Sequence, residues 1–360
     1  MRSADFMASS QQSSCSCSSV ANVSPCSCSS GTSQQTGVRI TDSKITFANR
    51  LDHFLARWGM NRMGHRVEPG LYRIGKPTTE SPVFASANYT LSFDAVRSAL
   101  AGFNAYILVL DTKGINVWCA AGKGTFGTDE LVGRIDATGL AGIVTHRKII
   151  VPQLGAPGIS AHDVQRRSGF KVEYGPVRAK DLPAYLRTGM ATTEMRRVEF
   201  PVRDRIVLAP VELVHVALPT LVIAVVLLFL AGPVAALAAL SAVVAGTVIF
   251  PVLLPFIPTK DFSTKGLLLG GVVAIPFAAT FVSAPTLPGW AKIIAAITPL
   301  LIIPAVTAYL ALNFTGSTTF TSRTGVKKEI FRYVPVMIFM AVFGIILGTV
   351  LGVSRLMGVC

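Results

Sequence analysis

A chain of 360 residues has length for more than one domain, but 51% hydrophobic residues and a mean hydropathy of +0.54 exclude a purely soluble protein. Charged residues make up only 14%, and 33 Lys+Arg against 19 Asp+Glu leave a net charge of +14. Residues 1–210 hold 25 Lys/Arg against 16 Asp/Glu and the rest hold 8 against 3. No basic–aromatic module accompanies this excess, so nucleic acid is not expected as a partner. Anionic lipid, an acidic protein and membrane topology are the better uses for it.

Residues 1–36 are rich in Ser and Gln, with Cys15, Cys17, Cys26 and Cys28 in two Cys-x-Cys pairs. No apolar run of leader length follows the start, so the segment reads as a disordered tail. Its thiols suit a soft metal ion, but their spacing matches no zinc or iron–sulfur pattern.

Residues 37–207 read as an α/β domain. Ile45, Leu51, Phe54, Leu55 and Trp58 recur at helical spacing and predict an amphipathic helix over Thr46–Gly59, with Arg50, Asp52, His53 and Arg57 as its solvated face. Strands are expected at Pro82–Ala85, Ala105–Leu110, Lys148–Val151 and Lys171–Tyr174. Between and after them come helices: one capped by Ser92, with Asp94 in its first turn, running to Leu100; one over Asp129–Ile135; one opened by Ser160 and Asp163; and one over Ala179–Leu186. Such alternation predicts a largely parallel, Rossmann-like sheet covered by helices, with ligands beyond the carboxyl ends of its strands.

One stretch after the second of these strands stands out: Asn116-Val117-Trp118-Cys119-Ala120-Ala121-Gly122-Lys123. Cys119 sits among small residues, with a ring and a cation beside it. Two readings stay open, a packed core cysteine or a thiolate favoured by its surroundings. Gly122-Lys123-Gly124-Thr125-Phe126-Gly127 spells Gly-x-Gly-x-x-Gly, but the acidic residue of a dinucleotide site is missing about 20 positions on. No Asp-x-His-x-x-Gly occurs, so a histidine-ligated corrinoid mode has no residues to carry it.

Residues 208–360 read as five transmembrane helices, near 211–231, 233–255, 266–284, 291–312 and 334–353. Arg196, Arg197, Arg203 and Arg205 precede the first. Lys260 and Lys265 separate the second and third; Arg323, Lys327, Lys328 and Arg332 separate the fourth and fifth. All three basic segments fall on one side, which makes that side cytoplasmic and puts the C-terminus, with Cys360, outside. The expectation is a multi-pass protein of the cytoplasmic (inner) membrane, its soluble domain in the cytoplasm. With few ionisable groups at depth, the spans read as an anchor and platform rather than a transporter. The hydroxyl-rich loop Asn313–Ser322, on the same side as the thiol domain, is either a linker or a docking surface.

The eight-residue thiol stretch resembles the signature of the corrinoid protein family of microbial mercury methylation (HgcA-type). Val67-Glu68-Pro69-Gly70-Leu71-Tyr72, Ala87-Asn88-Tyr89-Thr90-Leu91-Ser92-Phe93, Pro152-Gln153-Leu154-Gly155-Ala156-Pro157-Gly158 and Tyr174-Gly175-Pro176-Val177 resemble that family in the same order. The resemblance runs from about Val67 to the C-terminus and extends to the corrinoid domain of the acetyl-CoA pathway's corrinoid iron–sulfur protein. It implies a corrinoid (cobalamin) cofactor whose cobalt takes Cys119 as its axial ligand. Trp118, Ala120, Ala121 and Gly122 would shape the wall beneath the ring, and Asn116 and Lys123 would steady the thiolate. Val117, Gly155 and Gly158 complete the implied cofactor site.

The implied activity is that of a methyltransferase, passing a methyl group from methyl–Co(III) to mercuric ion. Its implied partners are a methylated folate donor (methyltetrahydrofolate) acting through another protein and a ferredoxin-like iron–sulfur reductant. Two alternatives remain: a corrinoid methyl carrier of acetyl-CoA-pathway type with another acceptor, and a membrane transporter or metal sensor with a degenerate domain. The acetyl-CoA-pathway reading predicts an iron–sulfur module and no membrane part, which this sequence does not match.

The one-sided basic loops make a direct prediction. Reporter fusions after Gly232 and after Pro288 should be exposed outside, and fusions near Lys265 and Lys327 inside. An exchange of any site between these two sets would break the five-span reading.

Overall fold

Two strands, Val83–Ala87 and Ala105–Leu110, form the centre of a six-stranded sheet because their side chains are buried on both faces. In chain order the N-terminal part contains β1 (Arg39–Thr41), α1 (Phe47–Arg57), β2 (Gly70–Ile74), β3 (Val83–Ala87), α2 (Thr90–Ala99), β4 (Ala105–Leu110), α3 (Val117–Lys123), α4 (Thr128–Ala137) and α5 (Leu140–Ile143). Then come β5 (Lys148–Val151), α6 (Ala161–Ser168), β6 (Lys171–Tyr174), α7 (Leu182–Thr188), α8 (Thr193–Arg196) and α9 (Val202–Ile206). The computed structural model describes residues 37–61, 64–318 and 323–359. The Cys-x-Cys tail, the end of the loop before Arg323, and Cys360 lie outside the described residues.

The sheet order is β1-β2-β4-β3-β5-β6. Strands β4, β3, β5 and β6 are parallel neighbours, as the alternation predicted. The sheet is nevertheless mixed, because β2 pairs antiparallel with β4 and β1 parallel with β2. Gly70–Ile74 gave no strand signal in the sequence reading; its place on β4 comes from the burial of Leu71, Tyr72 and Ile74. All of β4 is buried. Leu108 and Leu110 pack on one face with Val117, Ala120, Leu131 and Val164. Ile107 and Val109 pack on the other with Phe93, Leu100, Leu182 and Tyr185. The result is a three-layer α/β/α arrangement whose strand order reverses between β3 and β5, where such sheets open a crevice at their carboxyl ends.

Strands β4, β5 and β6 have the predicted bounds; β3 starts and ends slightly later than expected. The last predicted helix is a 3₁₀ turn over Ala179–Asp181 followed by α7. Helix α2 starts at Thr90, with Tyr89 before it and no side-chain cap. Ser92 therefore does not cap it. Asp94 is not a solvated first-turn charge but 2% exposed, bonded to His53 Nε2 at 2.7 Å and to Arg97 Nε at 2.6 Å. Arg97, also buried, donates onward to the carbonyls of Asp42 and Lys44 at 2.9 and 2.7 Å and to Asn49 Oδ1 at 3.1 Å. This network fastens α1 to α2.

Helix α1 forms where its spacing predicted, opened by a Thr46–Asn49 capping box, but it is turned over. Its polar residues Asn49, Asp52 and His53 face the domain, while Phe47, Leu51, Phe54 and Trp58 are exposed. The reason is chemical: buried Asp94, Arg97 and His65 supply partners for polar side chains, with Asp52 bonding His65 Nδ1 at 2.7 Å.

The C-terminal part contains α10 (Ala209–Ala231), α11 (Pro233–Val244), a π-helical turn (Ala245–Ile249) leading into α12 (Phe250–Leu253), α13 (Phe262–Val282), α14 (Gly289–Asn313) and α15 (Arg323–Leu356). Five stretches are long and apolar enough to cross a membrane: Val202–Ala231, Pro233–Leu253, Phe262–Val282, Gly289–Gly316 and Thr324–Leu356. Helices α13 and α14 pack backbone to backbone. A Cβ on Gly266 would stand 2.5 Å from Ala308 Cα, and one on Gly270 2.5 Å from Pro304 Cα, the close approach that Gly-x-x-x-Gly spacing allows. Glu329 of α15 is buried and caps α13, accepting from Phe262 N at 3.0 Å and from Ser263 N at 3.2 Å. Lys265, expected in a loop, is in the first turn of α13, buried, its Nζ donating to the carbonyls of Leu254 and Ile257.

The buried ion pair yields a prediction. Replacing Asp94 by Ala removes the buried carboxylate of Arg97 and leaves it only the exposed carboxylate of Asp42, at 3.0 Å, which costs about 3–5 kcal/mol. Denaturant unfolding of the Asp94→Ala chain should show a loss of that size, and Arg50→Ala, on the exposed flank, almost none.

Candidate functional site

Four of the five motif segments that the sequence singled out meet at the carboxyl edge of the parallel strands. Ala87-Asn88-Tyr89-Thr90 follows β3, the thiol stretch follows β4, Pro152–Gly158 follows β5 and Gly175-Pro176 follows β6. Parallel pairing is what aligns them, since it brings every carboxyl end to the same side.

The turn between β4 and α3 is held by one side chain. Asn88, 2% exposed, accepts with Oδ1 from Thr112 N at 3.1 Å, Thr112 Oγ1 at 2.9 Å and Gly114 N at 3.0 Å. Its Nδ2 donates to Asp111 Oδ1 at 3.2 Å. Glu130 of α4 accepts from Asp111 N at 2.8 Å. Burial pushes the Asp111 carboxyl up, but hydrogen bonds and charge from Lys113, with the charge of Arg134, outweigh it and hold the group below its ordinary value. Asp111 is therefore a carboxylate throughout the neutral range.

Helix α3 begins as this turn ends. Asn116 is its N-cap, and its Oδ1 accepts from Cys119 N at 2.9 Å. Cys119 is thereby placed in the first helical turn, the electropositive end, which favours an anion. The eight residues divide by face. Val117, Ala120 and Ala121 point into the core; Trp118, Cys119 and Gly122 are half-buried; Lys123 is exposed. The two alanines thus pack beneath the helix, and the outer wall beside the sulfur is made by Trp118 and the bare backbone of Gly122, where an added Cβ would meet open space. Cys119 is not a sealed core residue: its Sγ–H donates to the Gly316 carbonyl at 3.9 Å. Gly316 lies in the turn Phe314–Ser317 after α14, so the first half of the hydroxyl-rich loop reaches the thiol. Phe314 anchors that turn, buried beside Phe200 and Phe250.

Gly155 and Gly158 have a packing role. A Cβ on Gly155 would stand 2.5 Å from the Phe126 ring, and one on Gly158 2.2 Å from Phe126 O and 3.0 Å from Ala121 Cα. Their bareness lets the loop after β5 lie directly on the end of α3. The Gly-x-Gly-x-x-Gly run joins two helices: Gly124, left-handed at φ 86°, follows the last residue of α3, and Gly127 is the N-cap of α4.

The residues present fit a corrinoid in two respects. One sulfur stands on the outer face among small groups, and a single soft donor suits a metal whose other ligands come with a macrocycle. In addition, Thr90 Oγ1, at the start of α2 after β3, and Gln153 Oε1, in the 3₁₀ turn after β5, are buried without a hydrogen-bond partner. Among the described residues no group of three or more His, Cys, Asp or Glu could hold a metal ion. Sequence reasoning gave no role to Asn88, Thr90, Gln153 or Glu130. Asn88, Thr90 and Gln153 lay inside quoted motifs, but only the parallel pairing brings their segments to one edge.

Residues 59–186 match the sequence profile of the CO dehydrogenase/acetyl-CoA synthase delta subunit family. The resemblance covers strands β2 to β6 and the carboxyl edge, but not β1. Over 127 residues the chain is 34% identical to the acetyl-CoA decarbonylase/synthase complex subunit gamma of Methanopyrus kandleri, covering 35% of this chain and 27% of that protein. The corresponding gamma subunits of Archaeoglobus fulgidus and Methanocaldococcus jannaschii are 32% and 33% identical, over 34% and 35% of this chain and 26% of each relative. The chain thus spans about a quarter of the length of these relatives, and the match leaves out the five apolar helices.

Asn88 gives the site its own prediction. Asn88→Ala unpairs two buried backbone N–H groups, at about 1–3 kcal/mol each. The variant should lose stability, and hydrogen exchange at Thr112 and Gly114 should speed up while that of α13 and α14 stays unchanged.

Proposed function

We propose that the chain is a membrane-anchored corrinoid methyl carrier whose methyl acceptor is mercuric ion. The observation that carries this reading is Cys119, presented outward in the first turn of α3 at the carboxyl edge of the sheet. The matched region supports the corrinoid part, since its relatives are subunits of acetyl-CoA decarbonylase/synthase complexes. Mercury as acceptor rests on the resemblance of residues 116–123 and on the adjoining apolar helices.

When bound, the corrinoid supplies a cobalt that takes up and releases a methyl group. The chain's own residues do the rest. Cys119 would hold the metal through its thiolate sulfur, a soft, electron-rich donor that would raise the electron density at the metal. Asn116 fixes the sulfur's height by pinning the Cys119 N–H. Gly122 leaves the approach to the helix face open, and the Asn88 clamp keeps the preceding turn in place. The Gly316 contact uses the thiol hydrogen, so the turn yields that position when the sulfur ligates a metal. Reductant and methyl donor come from partners, a ferredoxin-like protein and a methyltetrahydrofolate-dependent protein. The soluble domain then lies on the cytoplasmic side of the membrane, with the domain boundary near residue 208.

The test is to reconstitute the full chain with corrinoid and compare Cys119→Ala, Cys119→Thr and Asn116→Ala with the parent. The alanine and threonine variants should lose the sulfur-to-cobalt absorption and nearly all methyl transfer to mercuric thiolate. Asn116→Ala should bind the corrinoid roughly 10- to 100-fold more weakly. A Cys119→Ala chain with the parent spectrum and rate would refute the ligand assignment. A chain that transfers methyl to other acceptors but not to mercury would refute the acceptor.

A further inference from the structure

The turned-over helix α1 leaves an apolar face that the domain does not use. Phe47 is 81% exposed, Leu51 47%, Phe54 54% and Trp58 37%, and at 3.6 residues per turn these four fall within about 60° of one another. Phe54 and Trp58 pack against each other, their rings tilted by 41° and their centroids 5.7 Å apart. The opposite face cannot rotate outward, because His53 and Asp52 are bonded to buried Asp94 and His65. The exposed face is therefore fixed in place.

Its surroundings identify what covers it. Trp58 ends the helix and Gly59 follows at φ 71°, with Met60 N donating back to Leu55 O at 3.1 Å. A Cβ on Gly59 would stand 2.9 Å from Val211 Cγ2 and 3.9 Å from His215 Cε1. Val211 lies in the first turn of α10, the start of the first apolar stretch, whose Val214 and Leu218 are themselves exposed. The apolar face of α1 thus continues into the outer surface of a helix that would run into lipid. Arg50 and Arg57, both exposed, stand along one border of the face, where they meet anionic headgroups. A tryptophan at such a junction is the usual interfacial anchor.

We propose that α1 lies in the headgroup region of the bilayer, its apolar face toward the acyl chains, and so holds the thiol domain against the membrane surface. This rests on the reading of the five helices as spans. The domain would then be fixed at two places, by α1 and by the entry of the chain into α10, without relying on a flexible tether.

The full chain in nanodiscs, one copy per disc, with phosphatidylcholine and phosphatidylglycerol brominated either high or deep on the acyl chains, tests this by tryptophan fluorescence. Subtracting the emission of Trp58→Phe from that of the parent isolates Trp58; subtracting that of Trp290→Phe isolates Trp290, in the first turn of α14. The Trp58 component should lose most of its intensity with shallow bromine and less with deep bromine, and Leu51→Asp with Phe54→Asp should abolish the loss. Quenching of Trp290 with none of Trp58 would overturn the inference alone, and would instead assign the face to a protein, a second copy or residues 1–36. Quenching of neither would overturn the spans and this inference with them.

Discussion

The Asn88 carboxamide is the interaction on which the edge of the sheet depends. It sits at the end of β3 yet satisfies backbone donors of the turn after β4, so the two loops are set by one buried group. That turn carries Asn116 to its capping position, and the cap sets the height of Cys119. The geometry of the sulfur is thus inherited from strand pairing through two amide side chains. Both are short, buried or locally bonded, and cheap in entropy once β3 and β4 are paired.

The apolar helices are joined to this edge, not merely appended. Phe314 is held between Phe200 and Phe250, which fixes the turn that brings Gly316 to the thiol. Further along, Glu329 caps α13 and Tyr333 donates to Asp261 at 2.8 Å. These polar contacts lie at the ends of the helices, where unpaired backbone donors are available. The helix faces between them meet through small residues, as at Gly266 and Gly270. The matched relatives give no counterpart for this half, so its link to the thiol is a property of this chain's own structure.

Helix α1 shows how tertiary partners override periodicity. A strong apolar stripe ordinarily turns inward. Here the buried charges Asp94 and Arg97 need partners more than Phe54 or Leu51 needs a core, because an unpaired buried charge costs more than an exposed apolar side chain. The spacing of apolar residues locates a helix but does not say which solvent its stripe meets.

By itself the sequence determined the α/β alternation, the bounds of β4, β5 and β6, the five apolar stretches, and Cys119 as the residue of interest. These are local properties: strand runs between turns, hydropathy over 20 residues, and a motif of eight. Only the tertiary structure decided that β2 runs antiparallel beside β4, that Ala120 and Ala121 face the core, and that Gly155 and Gly158 serve packing. The Gly316 carbonyl beside the sulfur, almost 200 positions along the chain, belongs to the same class. Each depends on which surfaces meet, and contacts between residues far apart in the chain leave no periodic trace in it.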